Sequence, residues 1–229
     1  MSFEKLDEKL VELLIDKYVK DNDVVAFGSS RHAERFVKKL ALKAENEDLE
    51  IKIVPTSARI TEIAHSLGLN IVSINDAEID ISIEFAEIID YDFNFVKRDT
   101  LSLVRDKMIA QSAANLIAIV SKENFVKNLY GIVPFEITQF GWKKTLAQLE
   151  QFGTSALRMQ DNKPFITESG NYLANVDIRV KFLPEDIDYA GKNIPGVLET
   201  GLFIGYADKA LLYSAKGIEV KGLMHDKIK

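Results

Sequence analysis

The chain has 229 residues, enough for one large domain or two small ones, with 47% apolar residues, 28% charged residues and a formal net charge of −6. This acidic balance argues against nucleic acid or an anionic membrane surface as the main partner, since both reward clustered Lys and Arg, but it leaves room for small anionic ligands. The lack of cysteine excludes disulfides, thiolate catalysis and Cys-ligated zinc and is compatible with the cytoplasm, and the three histidines (His32, His65, His225) include no i,i+4 pair that would support a metal site.

Residues 4–20 set Leu, Val and Ile at helical spacing among charges, which predicts an amphipathic helix rather than a signal peptide. No run approaches the roughly 18 apolar residues of a membrane span. A short buried strand is expected over 23–28 and a helix over 31–46, with Ala33, Phe36, Val37 and Leu40 on one face. Then come a strand over 51–57, stopped by Pro55, and a helix over 58–68 ending at Gly68. Strands over 70–74 and 79–85, a helix over 100–114 and a strand over 115–121 complete the first half. Alternating β and α units with near-continuous apolar strands predict a parallel sheet covered on both faces.

The pattern changes near residue 130. A strand over 131–138 and a helix over 139–152 precede two strands joined by the turn Glu168–Asn171, in the manner of an antiparallel hairpin, and a short helix beginning at Pro184. Residues 131–200 are therefore expected to form a small α+β domain. Residues 201–221 return to short apolar strands and are expected to rejoin the first sheet, so 1–130 and 201–229 make the larger domain.

Ligands of open parallel sheets sit beyond the carboxyl ends of the strands. Three segments qualify. Phe27–His32 is a strand-to-helix turn in which backbone N–H groups, Ser29, Ser30 and Arg31 suit a phosphate, although Ser29 or Ser30 would equally serve as an N-cap. Val54–Ala58 is the second. The third follows Phe85 and is acidic: Glu84, Glu87, Asp90, Asp92, Asp99 and Asp106 accompany Lys97. Such residues form either a solvated edge or a site for proton abstraction beside a carbonyl, where one carboxylate moves the proton and a cation holds the oxyanion. Gly170, Gly196 and Gly201 are expected to serve backbone geometry, and Trp142 to pack mid-helix.

Taken together, these segments resemble ribose-5-phosphate isomerase, type A, over nearly the whole chain. The resemblance is carried most closely by Val133–Ile137, Leu157–Ile178 and Ile194–Leu212, with Val54–Ser57 matching a loop of the larger domain. It implies an α/β fold, a Rossmann-like parallel-sheet domain with an inserted smaller α+β domain. It also implies interconversion of ribose 5-phosphate and ribulose 5-phosphate through an enediolate in the pentose phosphate pathway, with no metal or organic cofactor, in a homodimer or homotetramer.

The family's motifs fall on this chain with substitutions. Its phosphate loop, G-T-G-S-T, falls on Gly28, Ser29, Ser30, Arg31 and His32, which the resemblance assigns to the phosphate. Its D-G-A-D-E falls on Glu84–Ile88, so both aspartates are glutamates here. Its K-G-G-G-A falls on Lys97–Leu101, which keeps the lysine and puts Arg98, Asp99 and Thr100 in place of glycines. The glutamate of T-R-E-K, the general base, falls on Asp106, and a later substrate-contacting lysine falls on Asn124, or on Lys122 if the register slips. An N-terminal phosphate-contacting lysine has Lys9 as its nearest counterpart. The resemblance thus implies catalytic Asp106, Glu84, Glu87 and Lys97, with Ser29, Ser30, Arg31, His32, Arg98, Asp99, Thr100 and Asn124 binding substrate; Asp90 and Asp92 keep the solvated reading. Shortening the base draws its carboxylate back by about 1 Å, a displacement that can cost on the order of a hundredfold in rate. The substitutions leave open a non-catalytic or regulatory sugar-phosphate-binding paralogue, or an isomerase of another phosphosugar.

Overall fold

The structure, a computed structural model, describes residues 3–222, with side chains from residue 8 onward. His225 and the rest of 223–229 lie outside the described residues. Among those described, seven strands form the main sheet, in the order Gly217–Gly222, Lys209–Ser214, Leu116–Ser121, Ile81–Phe85, Val24–Phe27, Lys52–Pro55 and Asn70–Ile71. All neighbours pair in parallel except the first two, which form an antiparallel hairpin. This is the α/β sheet that the alternation of periods predicts.

Side-chain alternation explains how both faces are covered. Val25, Phe27, Ile81, Ile83, Ile117 and Ile119 point to one face and pack with Leu14, Phe36, Leu40 and Ile60 of the helices Phe3–Tyr18, Arg31–Asn46 and Ala58–Ser66. Val24, Ala26 and Val54 point the other way and meet Ile109 of the helix Leu103–Ser112. Leu116, Ala118 and Val120 extend that second face against Phe95 and Phe203.

A second, antiparallel sheet has the order Thr154–Leu157, Tyr172–Ile178, Gly131–Ile137 and Val197–Thr200. It carries the helices Trp142–Leu149 and Pro184–Lys192 and its own core around Val133, Phe135, Leu149 and Val176. A third, small sheet joins Leu202–Phe203, Phe95–Val96, Ile88–Asp90 and Phe125–Val126.

Several elements differ from expectation for local reasons. The strand expected over 70–74 stops at Ile71, because Ser73 Oγ accepts from Asn75 N and Asp76 N bonds back to Ser73 O, closing a turn. The helix expected from residue 100 starts at Leu103, with Ser102 as N-cap. The helix expected from 139 starts at Trp142, because Gly141 takes φ +69° just before it; Trp142 therefore sits at the helix start, its ring edge toward Tyr172. The turn after Thr167 does reverse the chain, but only the bridge Ile166–Tyr172 flanks it, and the strand Tyr172–Ile178 pairs instead with Thr154–Leu157 and Gly131–Ile137. Within 201–221, Lys209–Ser214 and Gly217 onward rejoin the main sheet as expected, whereas Leu202–Phe203 pairs with Phe95–Val96. Asp90 is buried, not solvated: its carboxylate accepts from Asp92 N, Asn94 N and Asn94 Nδ2 and so closes the Asp90–Asn94 turn.

Candidate active site

The carboxyl ends of Val24–Phe27 and Ile81–Phe85 lie side by side, with Phe27 in register with Ile83. Gly28 continues the first strand and donates its N–H to Ile83 O. Glu84, one residue further along the neighbouring strand, lays its carboxylate over Gly28. A Cβ there would stand 1.9 Å from Glu84 Oε2, so any other residue would have to displace that carboxylate.

Lys97 and Asp106 come from two other elements. Lys97 follows the strand Phe95–Val96 and is held by its N–H to Gly201 O. Asp106 lies in the first turn of the helix Leu103–Ser112, whose start is fixed by Ser102 Oγ accepting from Arg105 N. Glu84, Lys97 and Asp106 are all 0% exposed. Lys97 Nζ lies 2.5 Å from Glu84 Oε2 and 3.7 Å from Asp106 Oδ2, so one ammonium bridges two carboxylates. Asp106 Oδ1 accepts from Ser29 N at 2.7 Å, Ser29 Oγ lies 2.8 and 3.0 Å from its two oxygens, and Thr100 Oγ1 donates to Oδ2 at 2.6 Å. Glu84 Oε1 is buried with no partner.

Burial pushes Glu84 up to about 7; Lys97 opposes this and Asp106 reinforces it. Burial likewise raises Asp106, against Lys97, Thr100 and Ser29. For Lys97, burial works downward, but Asp106 and Glu84 outweigh it and raise the ammonium above its ordinary value. A cation therefore sits between two carboxyl groups, one of which changes charge near neutral pH, a set of parts suited to moving a proton while steadying an oxyanion.

A cavity of about 90 Å³ opens at the same sheet edge, lined by His32, Glu87, Asp99, Ser121 and Asn124 with Phe85 at its wall. His32 stacks on Phe85, with ring centroids 5.5 Å apart, and Arg35 Nη2 donates to its Nδ1. Asn124 Nδ2 donates to Glu87 O. Asp99 Oδ2 accepts from Arg31 N at 3.1 Å and lies 3.8 Å from Arg31 Nε.

The structure thus places the expected residues in two groups. Glu84, Lys97, Thr100, Asp106 and Ser29 form the buried cluster, while His32, Glu87, Asp99 and Asn124 line the cavity. Ser30 caps the helix Arg31–Asn46, its Oγ accepting from Ala33 N. The Arg31 side chain is exposed. Arg98 is not among the cavity's residues: its guanidinium donates to Ile132 O and reaches Tyr130 O.

Sequence reasoning missed four residues that tie together the elements around this cluster. Glu136, fully buried in the strand Gly131–Ile137, accepts from Ser102 Oγ, Val104 N, Thr167 Oγ1 and Asn171 Nδ2, tying the start of the Asp106 helix to the second sheet. Arg105 pairs with Glu168, which also accepts from Ala58 N. Arg158 donates to Arg98 O and Thr100 O. Lys107 reaches Glu199 and Asp188 beside Phe203 and is lowered by its burial despite these partners. The sequence signal for Glu136 is a single carboxylate in the apolar run Ile132–Ile137.

The model of the family described as ribose 5-phosphate isomerase A (phosphoriboisomerase A) matches residues 52–217. A ribose-5-phosphate isomerase A of Bacillus mycoides is 34% identical over 206 residues, 88% of this chain and 93% of that protein. That of Methanothermobacter thermautotrophicus is 28% identical, covering 93% and 96%. The solved ribose 5-phosphate isomerase A of Methanocaldococcus jannaschii superposes with a TM-score of 0.87 at 26% identity, over 97% of this chain and all of that one. A D-ribose-5-phosphate isomerase solved in complex with phospho-erythronic acid superposes with a TM-score of 0.89, also at 26% identity and over the same shares. The extent of these matches, together with the Lys97-centred cluster at the sheet edge, shows that the chain belongs to the ribose 5-phosphate isomerase A family.

Proposed function

We propose that this chain interconverts ribose 5-phosphate and ribulose 5-phosphate as a step of the pentose phosphate pathway. The observation that carries the reading is the placement of Lys97 Nζ between Glu84 and Asp106. Asp106 takes the C2 proton of the open-chain aldose and returns it to C1, and Lys97 steadies the enediolate oxygen. Glu84 and Glu87 pass protons among the hydroxyl groups and open the sugar ring; the value near 7 at Glu84 suits a group that must both give and take a proton. Substrate hydroxyls replace those of Ser29 and Thr100 at Asp106. The phosphate lies toward Ser29, Ser30, Arg31 and His32, and Asn124 faces the sugar. The phospho-erythronic acid held by a related isomerase is a phosphorylated sugar acid, an anion of the size and charge this site would accept. Every step uses the chain's own groups and needs neither metal nor organic cofactor.

The larger unit of residues 1–130 and 201–229 carries this site and the unit 131–200 buttresses it, a division supported by the second sheet's core around Val133, Phe135 and Val176, into which Ile88, Val96 and Leu202 of the larger unit also pack. The chain works in the cytoplasm as a homodimer or homotetramer, a reading supported by the lack of cysteine and by exposed apolar side chains such as Phe140 and Tyr189. No helix among the described residues is long and apolar enough to cross a membrane.

The full set of protein donors around Asp106 favours a second reading, a sugar-phosphate-binding paralogue without turnover. A coupled assay of ribose 5-phosphate conversion separates the two. Turnover that falls about 100-fold or more in Asp106→Asn supports the isomerase. Ribose 5-phosphate binding without turnover in the unaltered chain selects the paralogue, and turnover indifferent to Asp106→Asn removes Asp106 as the base.

A further inference from the structure

The turn that opens the helix Arg31–Asn46 presents backbone donors of the kind that hold a phosphate. Its own chain already occupies two of them with carboxylates. Ser29 N and Ser29 Oγ give to Asp106, and Arg31 N gives to Asp99 Oδ2 at 3.1 Å. A third carboxylate, that of Glu84, lies against Gly28 with Oε1 buried and unpartnered. The adjoining cavity is lined by two acids, Glu87 and Asp99, and by no Lys or Arg among the described residues. A phosphate dianion entering here meets Asp99 twice, as a rival for the Arg31 N–H and as a like charge.

We propose that Asp99 is an internal competitor of the substrate's phosphate and sets how weakly this chain holds a phosphosugar. The inference rests on the phosphosugar reading of the site. Asp99 differs in kind from Asp106: its side chain is 31% exposed, it takes no part in the Lys97 cluster's hydrogen bonds, and it lies in the loop between Lys97 and the helix Leu103–Ser112. It can therefore swing out as phosphate takes the Arg31 N–H. Asp106 and Glu84, fully buried beside Lys97, cannot.

The test is isothermal titration of the full chain with inorganic phosphate at pH 7.5 and fixed ionic strength, comparing the unaltered protein with Asp99→Asn, Asp99→Ser and Asp99→Glu. Removing one charge a few ångström from a dianion near a protein surface is worth about tenfold in affinity. Asp99→Asn and Asp99→Ser should each bind phosphate about tenfold tighter, and Asp99→Glu, which keeps the charge, should not. In the coupled assay the KM for ribose 5-phosphate should fall in the same two variants. Phosphate affinity unchanged or weakened in both neutral variants, or phosphate binding in none of the four proteins, overturns the proposal. Tighter phosphate binding without turnover in any protein upholds the role of Asp99 while the isomerase reading fails.

Discussion

Glu84→Gln tests whether the buried cluster is electrostatically as described. In the folded chain Glu84 is fully buried, has an unpartnered oxygen and is pushed up from 4.5 to about 7. A carboxyl group whose folded value is raised binds its proton more tightly in the folded state. Its contribution to stability is therefore complete below about pH 4.5 and is lost as the pH rises through 7. At about 1.4 kcal/mol per pH unit, the displacement amounts to about 3 kcal/mol lost across that window. Glutamine is nearly isosteric, can still accept from Lys97 and does not ionise. Urea denaturation at several values between pH 4.5 and 8 should show the unaltered chain losing about 3 kcal/mol relative to Glu84→Gln over that range. The pH profile of kcat/KM should also lose an inflection near 7 in the variant. Parallel stability curves for the two proteins across the window would refute the account of Glu84 as a buried, proton-exchanging group.

Two further substitutions probe the supports of the site. Gly28→Ala would put a methyl group 1.9 Å from Glu84 Oε2 and should displace that carboxylate from Lys97, costing at least about 1–3 kcal/mol and most of the turnover; denaturation and the coupled assay read the two effects. Glu136→Gln replaces one acceptor oxygen with an N–H₂ facing either Ser102 and Val104 or Thr167 and Asn171, a mismatch of donors worth about 1–3 kcal/mol. Because the start of the Asp106 helix depends on that carboxylate, kcat should fall more than KM changes; full stability and unaltered kcat would show that Glu136 has no such role.

The main sheet could be read from sequence because its strands are near-continuous apolar runs and the helix after the first of them opens at an N-cap the sequence offers, Ser30, which accepts an N–H from Ala33; the cap at Ser102 does not stand out, and the pattern starts that helix three residues early. The third sheet could not. Its strands are two or three residues long, shorter than any periodicity can register, and Leu202–Phe203 finds its partner more than 100 residues back. In the site, chemistry and family pattern selected Glu84, Lys97 and Asp106, whose pairing the structure shows. What sequence could not supply was their burial. An acidic stretch after a strand is ordinarily solvated, and only the packing of the Asp106 helix against the Gly28 turn takes these charges out of water. Arg98 differs for a related reason: the family pattern put it in a ligand loop, but its guanidinium donates to Ile132 O and reaches Tyr130 O, a long-range complementarity that has no local signature. The same limit hid Asp90, whose bonds to Asp92 N and Asn94 N become visible only once the chain turns back at Phe93, which takes φ +65°.

The anchoring of Arg98 O and Thr100 O by the Arg158 guanidinium has a consequence for how this loop can change over generations. Residues 98–100 adopt no positive φ, so nothing in the backbone there demands glycine. The shape of the segment is imposed from a neighbouring sheet through carbonyl groups, which every residue type possesses. Thr100 stays committed to Asp106 and Arg98 to Ile132 O, but the partly exposed Asp99 is thereby released from a conformational duty and becomes free to carry other charge and bulk at the rim of a site whose buried centre stays put. A ligand preference can then drift at Asp99, which lines the cavity, while the fold that presents it remains under the control of residues such as Arg158, some 60 positions away from Arg98 in the chain.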